Sequence, residues 1–327
     1  MKNNELRMKN MAYNPEEIVS RGGISAGEAV IMSKTLPTGE LLGLAAEVMR
    51  LACPPVFDTC SIVNAKSGRC PEDCKWCAQS AHWHTGAEEY PLLSPKTLLE
   101  AAQRCKSQGI GRFSIVTSGR RLKKDEVAHV CEAAELIERE CGIYLCLSAG
   151  LLDKEDFVRL RKAGVRRCHC NLETAPSFFP SLCTTHGQSQ KIKALDDARE
   201  AGLEVCSGGI IGMGETMEQR IELASVLKSL GVESVPVNIL SPIRGTALGS
   251  RPLIGEDEIL RTISVFRIMM PSARLRFAGG RARLSEETLM KAFRSAVNAA
   301  IIGDMLTTVG ADVSTDMARI KTAGYTL

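Results

Sequence analysis

From residue 56 onward, short apolar, β-branched runs alternate with segments whose apolar residues recur at i, i+3, i+4 and i+7. That alternation of period two with period 3.6 is the mark of βα units arranged around a parallel sheet. The expected strands are Val56–Val63, Arg112–Ser118, Ile143–Ala149, Arg166–Leu172, Leu203–Ile210, Ser234–Leu240, Leu275–Ala278 and a weaker one at Ala299–Ile302. About eight such units close a TIM-type (β/α)8 barrel, so the expected fold is α/β of that type. The intervening helices are expected at Lys96–Gln108, Lys124–Glu140, Ser189–Ala201, Thr216–Leu230 and Asp257–Met269, several ending in a glycine suited to a C′ position. Two short helices, Ile24–Lys34 and Gly39–Cys53, precede the first strand and are expected to cap the barrel bottom. The domain reading is a helical extension over residues 1–55, a barrel over 56–315 and a C-terminal tail over 316–327.

Charge narrows the partners. With 41 basic and 38 acidic residues the net charge is only +3, too small an excess for a chain whose main partner is a phosphate backbone. No stretch approaches the ~20 apolar residues needed to span a bilayer, and MKNNELRMKNMAYNPEE has no apolar h-region. A cytoplasmic chain with no nucleic-acid and no membrane partner is expected. Thirteen cysteines without a secretory signal argue for metal or cluster chemistry over disulfides, and none follows Cys206.

Three of those thiols stand together. In Ser67-Gly68-Arg69-Cys70-Pro71-Glu72-Asp73-Cys74-Lys75-Trp76-Cys77 the spacing is C-x3-C-x2-C, directly after the first expected strand, where a barrel places its active-site loops. Thiolates suit iron–sulfur clusters or zinc, and a structural zinc would want four ligands. Three cysteines can hold three irons of a [4Fe–4S] cubane and leave the fourth open. The alternatives are a zinc knuckle completed by His82 or His84, or three unrelated buried thiols. Trp76 suits an aromatic shield against the cluster or an adenine, or ordinary packing.

At this point the chain resembles the radical S-adenosylmethionine (SAM) superfamily and, within it, the biotin synthase family. The likeness rests on the cysteine loop and on Asn171-Leu172-Glu173-Thr174, the stretch from Val205 to Thr216, Ser234-Val235-Pro236-Val237-Asn238, and Arg267-Ile268-Met269-Met270-Pro271. It implies that SAM chelates the open iron and is split to methionine and a 5′-deoxyadenosyl radical. It further implies that this radical abstracts hydrogen from dethiobiotin and that an auxiliary iron–sulfur cluster donates the sulfur of biotin. A reductant such as flavodoxin or ferredoxin and a homodimeric assembly belong to the same implication.

The resemblance also assigns residues. Asn171 and Glu173 match contacts to the SAM ribose, Asn171 and Asn238 contacts to the substrate ureido ring, and Thr307 and Thr308 a pair near the substrate carboxylate. Ile210 and Met213 match apolar contacts along the adenine. By strand alternation Cys168 and Cys170 face away from that lining and read as small hydrophobes. Cys146, Cys206 and Arg276 match three of the four positions that hold a [2Fe–2S] cluster in the usual family member.

Two departures follow. Where the family has Arg-Phe-Cys, this chain reads Arg112-Phe113-Ser114, and a serine is a poor iron ligand. Cys60 stands on the first strand where the family has a serine. The expectation is therefore a relocated ligand, with Cys60, Cys146 and Cys206 holding an auxiliary cluster that is either [2Fe–2S] or a larger, sulfide-bearing four-iron cluster. The bland counterpart is a buried Cys60 thiol beside a depleted or absent cluster. Secondly, Thr184-Thr185 is followed by His186 in place of the family's arginine, so His186, or Lys191 nearby, is expected at the SAM carboxylate. Competing functions are another barrel-type radical SAM enzyme, such as a hydrogenase maturation factor or a methylornithine-forming isomerase, and a non-enzymatic metal-binding module.

Overall fold

A computed structural model describes residues 13–303 and 312–327. Three helices come first: α1 (Pro15–Ser20), α2 (Ala26–Thr35) and α3 (Thr38–Ala52). The barrel then runs β1 (Asp58–Lys66), α4 (Pro95–Ser107), β2 (Arg112–Thr117), α5 (Lys124–Glu140), β3 (Tyr144–Ser148), α6 (Lys154–Lys162) and β4 (Arg167–His169). It continues through α7 (Gln188–Glu200), β5 (Glu204–Cys206), β6 (Gly209–Ile211), α8 (Met217–Ser229), β7 (Ser234–Ile239), α9 (Glu256–Met269), β8 (Arg274–Phe277), α10 (Glu286–Ser295), β9 (Ala299–Ile301) and α11 (Val313–Thr322).

All strand pairs are parallel, and the order β5-β4-β3-β2-β1-β9-β8-β7-β6 closes on itself because β5 also pairs with β7. The sequence reads Leu203–Ile210 as one strand, whereas the structure breaks it into β5 and β6. Both halves pair with β7, at Cys206↔Ser234 and Gly209↔Val237, so together they form one of eight barrel staves. The break has a steric and a hydrogen-bonding cause. Pro236 on β7 has no N–H to donate, and its backbone passes so close to Gly208 that a Cβ there would lie 1.9 Å from the Pro236 carbonyl oxygen.

The helices form because each carries an apolar stripe and a start signal. Ser94 caps α4 by accepting the Thr97 amide, Asp153 caps α6, and Thr216 and Gln219 make a reciprocal capping box on α8. Their buried faces, for example Leu98 and Ala102 or Val127, Val130 and Ala134, pack on outward strand residues such as Phe113, Ile115, Leu145 and Leu147. Cys168 and Cys170 belong to this apolar layer, as their alternation predicts. The N-terminal helices pack on the outer ring: α2 lies against α8, and α3 against α9 and α10. The segment after α11 returns to the start of β1, where Phe57 N–H donates to the Thr326 carbonyl. Asp316, where the sequence reading begins the C-terminal tail, lies within α11, and its carboxylate is buried in an ion pair with Arg281. Thr307 and Thr308 lie outside the described residues.

Candidate active site

The cysteine loop is held at the C-terminal end of β1 by its own backbone. Gly68 and Arg69 take positive φ, and Cys70 N–H then donates to the Gln79 carbonyl while Ala81 N–H returns to Cys70. A Cys77-to-Cys74 turn and the Trp83 indole, donating to the Cys74 carbonyl at 2.9 Å, fix the centre of the loop. Its two acidic residues tie it to the segment before α7. Asp73 accepts from the amides of Thr184 and Thr185, and Glu72 accepts from Thr185 Oγ1 and meets His186 Nδ1 and Arg120. The Thr184-Thr185 pair thus clamps the cysteine loop. His82 turns its ring to the Pro71 carbonyl and His84 is exposed, so neither completes a site with the three cysteines.

Cys70, Cys74 and Cys77 are half-buried free thiols. Burial pushes all three above the ordinary thiol value, Cys77 to about 11. Such thiols stay protonated until a cation displaces the protons, which is how iron or zinc is taken up.

Beneath the loop a cavity of about 340 Å³ runs into the barrel, a volume suited to a small molecule. Trp76 and Cys77 line its mouth, Asn171, Glu173, Ile210 and Asn238 its waist, and Cys60, Ser114, Cys146, His169, Cys206 and Arg276 its depth. Met213 stands behind Trp76 and Ile210 in a small apolar cluster with Leu182 and Leu240. His186 is not part of this lining. Lys191 lies closer to it, its Nζ 3.9 Å from Glu173 Oε1.

The waist is pinned by backbone. Asn171 Oδ1 accepts the Gly208 amide at 3.0 Å, and Asn238 both accepts from Gly279 N–H and donates to the Gly209 carbonyl. Glu173 is one of two non-glycine residues with positive φ among the described residues, at 71°. That strained conformation, which costs about 1–3 kcal/mol, is held by hydrogen bonds from Glu173 N–H to Gly208 and from Ile210 N–H to Glu173. It leaves Glu173 Oε2 buried without a partner. A buried acceptor of this kind fits a ligand hydroxyl, such as those of the SAM ribose.

In the depth, the neighbouring thiols of Cys60 and Cys146 influence each other, which lowers Cys60 and raises Cys146. Cys206 Sγ lies 3.3 Å from His169 Nδ1 and 3.3 Å from Ser234 Oγ. Burial disfavours the charged forms of both Cys206 and His169, yet their mutual attraction outweighs it, holding the thiol below its ordinary value and the imidazole above. Ser114 sits in register with Cys146 and Arg112 with Cys60, so the serine is part of the same wall but offers no thiolate. Arg276 donates to the carbonyls of Asp58 and Ala300 and pairs with the Asp58 carboxylate, which also takes Arg112 at 2.9 Å. Three soft thiols, one imidazole and guanidinium charge in one buried pocket fit an anionic iron–sulfur cluster. His169 and Asp58 were missed in the sequence. The same alternation that turns Cys168 and Cys170 outward puts His169 inward and was the available signal; Asp58 carried none.

A closed parallel barrel with three cysteines on the loop after its first strand, opening onto a polar lining, is the architecture of radical SAM enzymes. Residues 65–227 match the Radical SAM superfamily and residues 236–326 match the Biotin and Thiamin Synthesis associated domain. The fold is shared with a methylornithine synthase (TM-score 0.80, 16% identity, 95% of this chain and 96% of that one). It is shared equally with a hydrogenase maturase from Carboxydothermus hydrogenoformans (TM-score 0.81, 14% identity, 99% and 79%). Sequence separates what the fold does not. A biotin synthase from Porphyromonas gingivalis is 48% identical over 308 residues, 94% of this chain and 93% of that one. A biotin synthase 2 from Corynebacterium diphtheriae is 46% identical over 310 residues, 93% and 94%. The chain belongs to the biotin synthase family and is an enzyme of radical SAM chemistry. None of its described helices is long and apolar enough to cross a membrane.

Proposed function

We propose that the chain inserts sulfur into dethiobiotin to give biotin, with a [4Fe–4S] cluster on Cys70, Cys74 and Cys77 and an auxiliary iron–sulfur cluster on Cys60, Cys146 and Cys206. The observation that carries this reading is the single cavity that joins Cys77 at its mouth to Cys60, Cys146 and Cys206 at its depth. When bound, the first cluster with SAM supplies a carbon radical by reductive cleavage, and the second supplies sulfur.

The chain's own residues do the positioning. Glu173 offers its unpartnered oxygen to the SAM ribose, and Trp76 and Ile210 flank the adenine with Met213 behind them. Asn171 and Asn238, already fixed by backbone, turn their remaining donors and acceptors to the ureido ring of the substrate, and Thr307 and Thr308 take its carboxylate. Lys191, a permanent charge beside Glu173, is better placed for the SAM carboxylate than His186, whose ring is engaged by Glu72. Arg276, held by Asp58 and Ala300 in the depth of the cavity, brings its positive charge beside the auxiliary cluster's cysteines. A flavodoxin- or ferredoxin-type donor, a cytoplasmic setting and a homodimer complete the reading from family likeness.

Iron and acid-labile sulfide per chain, measured after anaerobic reconstitution, test the second site. Cys60→Ala is expected to lose the auxiliary iron and sulfide, to keep the loop cluster's SAM cleavage, and to form no biotin. Unchanged iron and sulfide in Cys60→Ala would refute the relocated ligand. SAM cleavage by the wild type without any biotin would return the chain to the other barrel-type radical SAM activities.

A further inference from the structure

One group of metal-binding side chains is not used by the two clusters as a set. Cys183, on the segment before α7, is buried, and its Sγ lies 3.7 Å from Cys74 Sγ and 3.3 Å from His186 Nδ1. Among the described residues this is the one place where three His, Cys, Asp or Glu ligand atoms lie within 4.8 Å of one another. The spacing distinguishes one bound ion from a cubane. Zinc–thiolate bonds are about 2.3 Å, so two sulfurs on one tetrahedral ion stand roughly 3.8 Å apart. In a cubane each cysteine binds its own iron, which keeps the protein sulfurs further apart. The Cys74–Cys183 separation is that of a single ion.

We infer that the cluster-free chain binds one thiophilic divalent cation, with Zn²⁺ the best fit, through Cys74 Sγ, Cys183 Sγ and His186 Nδ1, and that this ion and the [4Fe–4S] cluster exclude each other because both require Cys74. The exclusion rests on the assignment of Cys74 to the loop cluster; the binding does not. Two thiols release two protons on ligation, and the resulting pair of thiolates neutralises the dication, as a largely buried site requires. His186 Nδ1, which in the metal-free chain faces Glu72, binds the ion as the tautomer that carries its proton on Nε2, so the ring stays neutral and the charge balance is kept. Cys74, half-buried where Cys183 and His186 are buried, forms the side of the site nearest solvent. In the metal-free chain the Cys183 thiol donates to Asp73 Oδ1 at 3.2 Å and lies 3.6 Å from Thr185 Oγ1, contacts that set where the sulfur sits before ligation. A zinc site thus exists in this loop, but its completing ligands come from over a hundred residues away and not from His82 or His84.

The full-length chain, stripped of iron anaerobically under reducing conditions and titrated with Co²⁺ as probe, tests the inference. Expected are thiolate-to-cobalt charge-transfer bands and tetrahedral d–d bands saturating at one equivalent, their displacement by Zn²⁺, and a block of cluster reconstitution by prior Zn²⁺ that a chelator reverses. Cys183→Ala should lose the tetrahedral spectrum, and its Zn²⁺ affinity should fall by more than the roughly 10–100-fold that an outer-shell partner costs. It should still assemble the [4Fe–4S] cluster, now with Zn²⁺ sensitivity much reduced. Wild-type cobalt bands and affinity in Cys183→Ala would overturn the inference. If that variant is unstable, Cys183→Ser keeps the side-chain size and carries the same two outcomes. Failure of every protein to assemble a cluster would instead count against the loop assignment, a result the cobalt titration reads separately.

Discussion

Replacing Gly208 by alanine is a severe test of how the waist of the cavity is built. Its φ is not in the left-handed region, so the backbone accepts an alanine and the penalty is purely one of space. The new Cβ would lie 1.9 Å from the Pro236 carbonyl oxygen, against a practical lower limit of 3.0 Å, so the two staves must part by about 1.1 Å. They are joined on either side by Ser207 N–H to Ser234 and by the Gly209↔Val237 pair. Loosening two such hydrogen bonds costs about 1 kcal/mol each, and overpacking adds roughly 1–3 kcal/mol. A total of about 3–5 kcal/mol corresponds to a fall in Tm of roughly 4–7 °C for a chain of 327 residues, whose unfolding entropy is about 2.1 cal/mol/K per residue. Thermal unfolding of the cluster-free chain, followed by circular dichroism under anaerobic reducing conditions, measures it. SAM affinity should fall as well, because the Gly208 amide orients Asn171. Gly43→Ala is the control: mid-way along α3, exposed and with nothing within 4 Å of its Cβ, it should stabilise by about 0.5–1 kcal/mol. A Gly208→Ala melt within about 2 °C of wild type would refute the close-approach argument.

Glu173→Gln keeps the shape and removes the charge from the orphaned acceptor, so SAM binding should weaken by about 10–100-fold in equilibrium dialysis, the value of one hydrogen bond to a charged group; equal affinity would remove Glu173 from the ribose site. His169→Leu takes a donor away from the Cys206 sulfur and should move the auxiliary cluster's potential negative by about 40 mV, the one-electron equivalent of roughly 1 kcal/mol, while an unchanged potentiometric titration would assign His169 to packing. Burial opposes ionisation of Asp58, but Arg276 and Arg112 outweigh it and hold the carboxyl below its ordinary value. Its contribution to stability is therefore present above the unfolded value near pH ~4 and is lost as pH falls through the folded value. Asp58→Asn should lower stability at neutral pH by about 3–5 kcal/mol and flatten the acid limb of the denaturation curve; a parallel curve would deny the linkage.

Local pattern determined a good deal of this protein. Strand and helix positions followed from apolar periodicity, because a strand that buries one face on helices and another in a lining must alternate, and α5 begins and ends where that pattern does. The C-x3-C-x2-C loop announced its chemistry because all three ligands are contiguous, and parity along Arg167–Asn171 separated the lining from the packing side. Tertiary structure decided what depends on distant strands meeting. It split Leu203–Ile210 at Gly208, since the obstacle is Pro236 on another strand. It brought Cys60 beside Cys146 on the two strands that flank β2, and it committed Arg276 to Asp58, which no spacing connects. It also placed Cys183 against Cys74 and His186 against Glu72. Periodicity records which face a residue occupies, but not which residue faces it. That second fact is created only when the sheet closes.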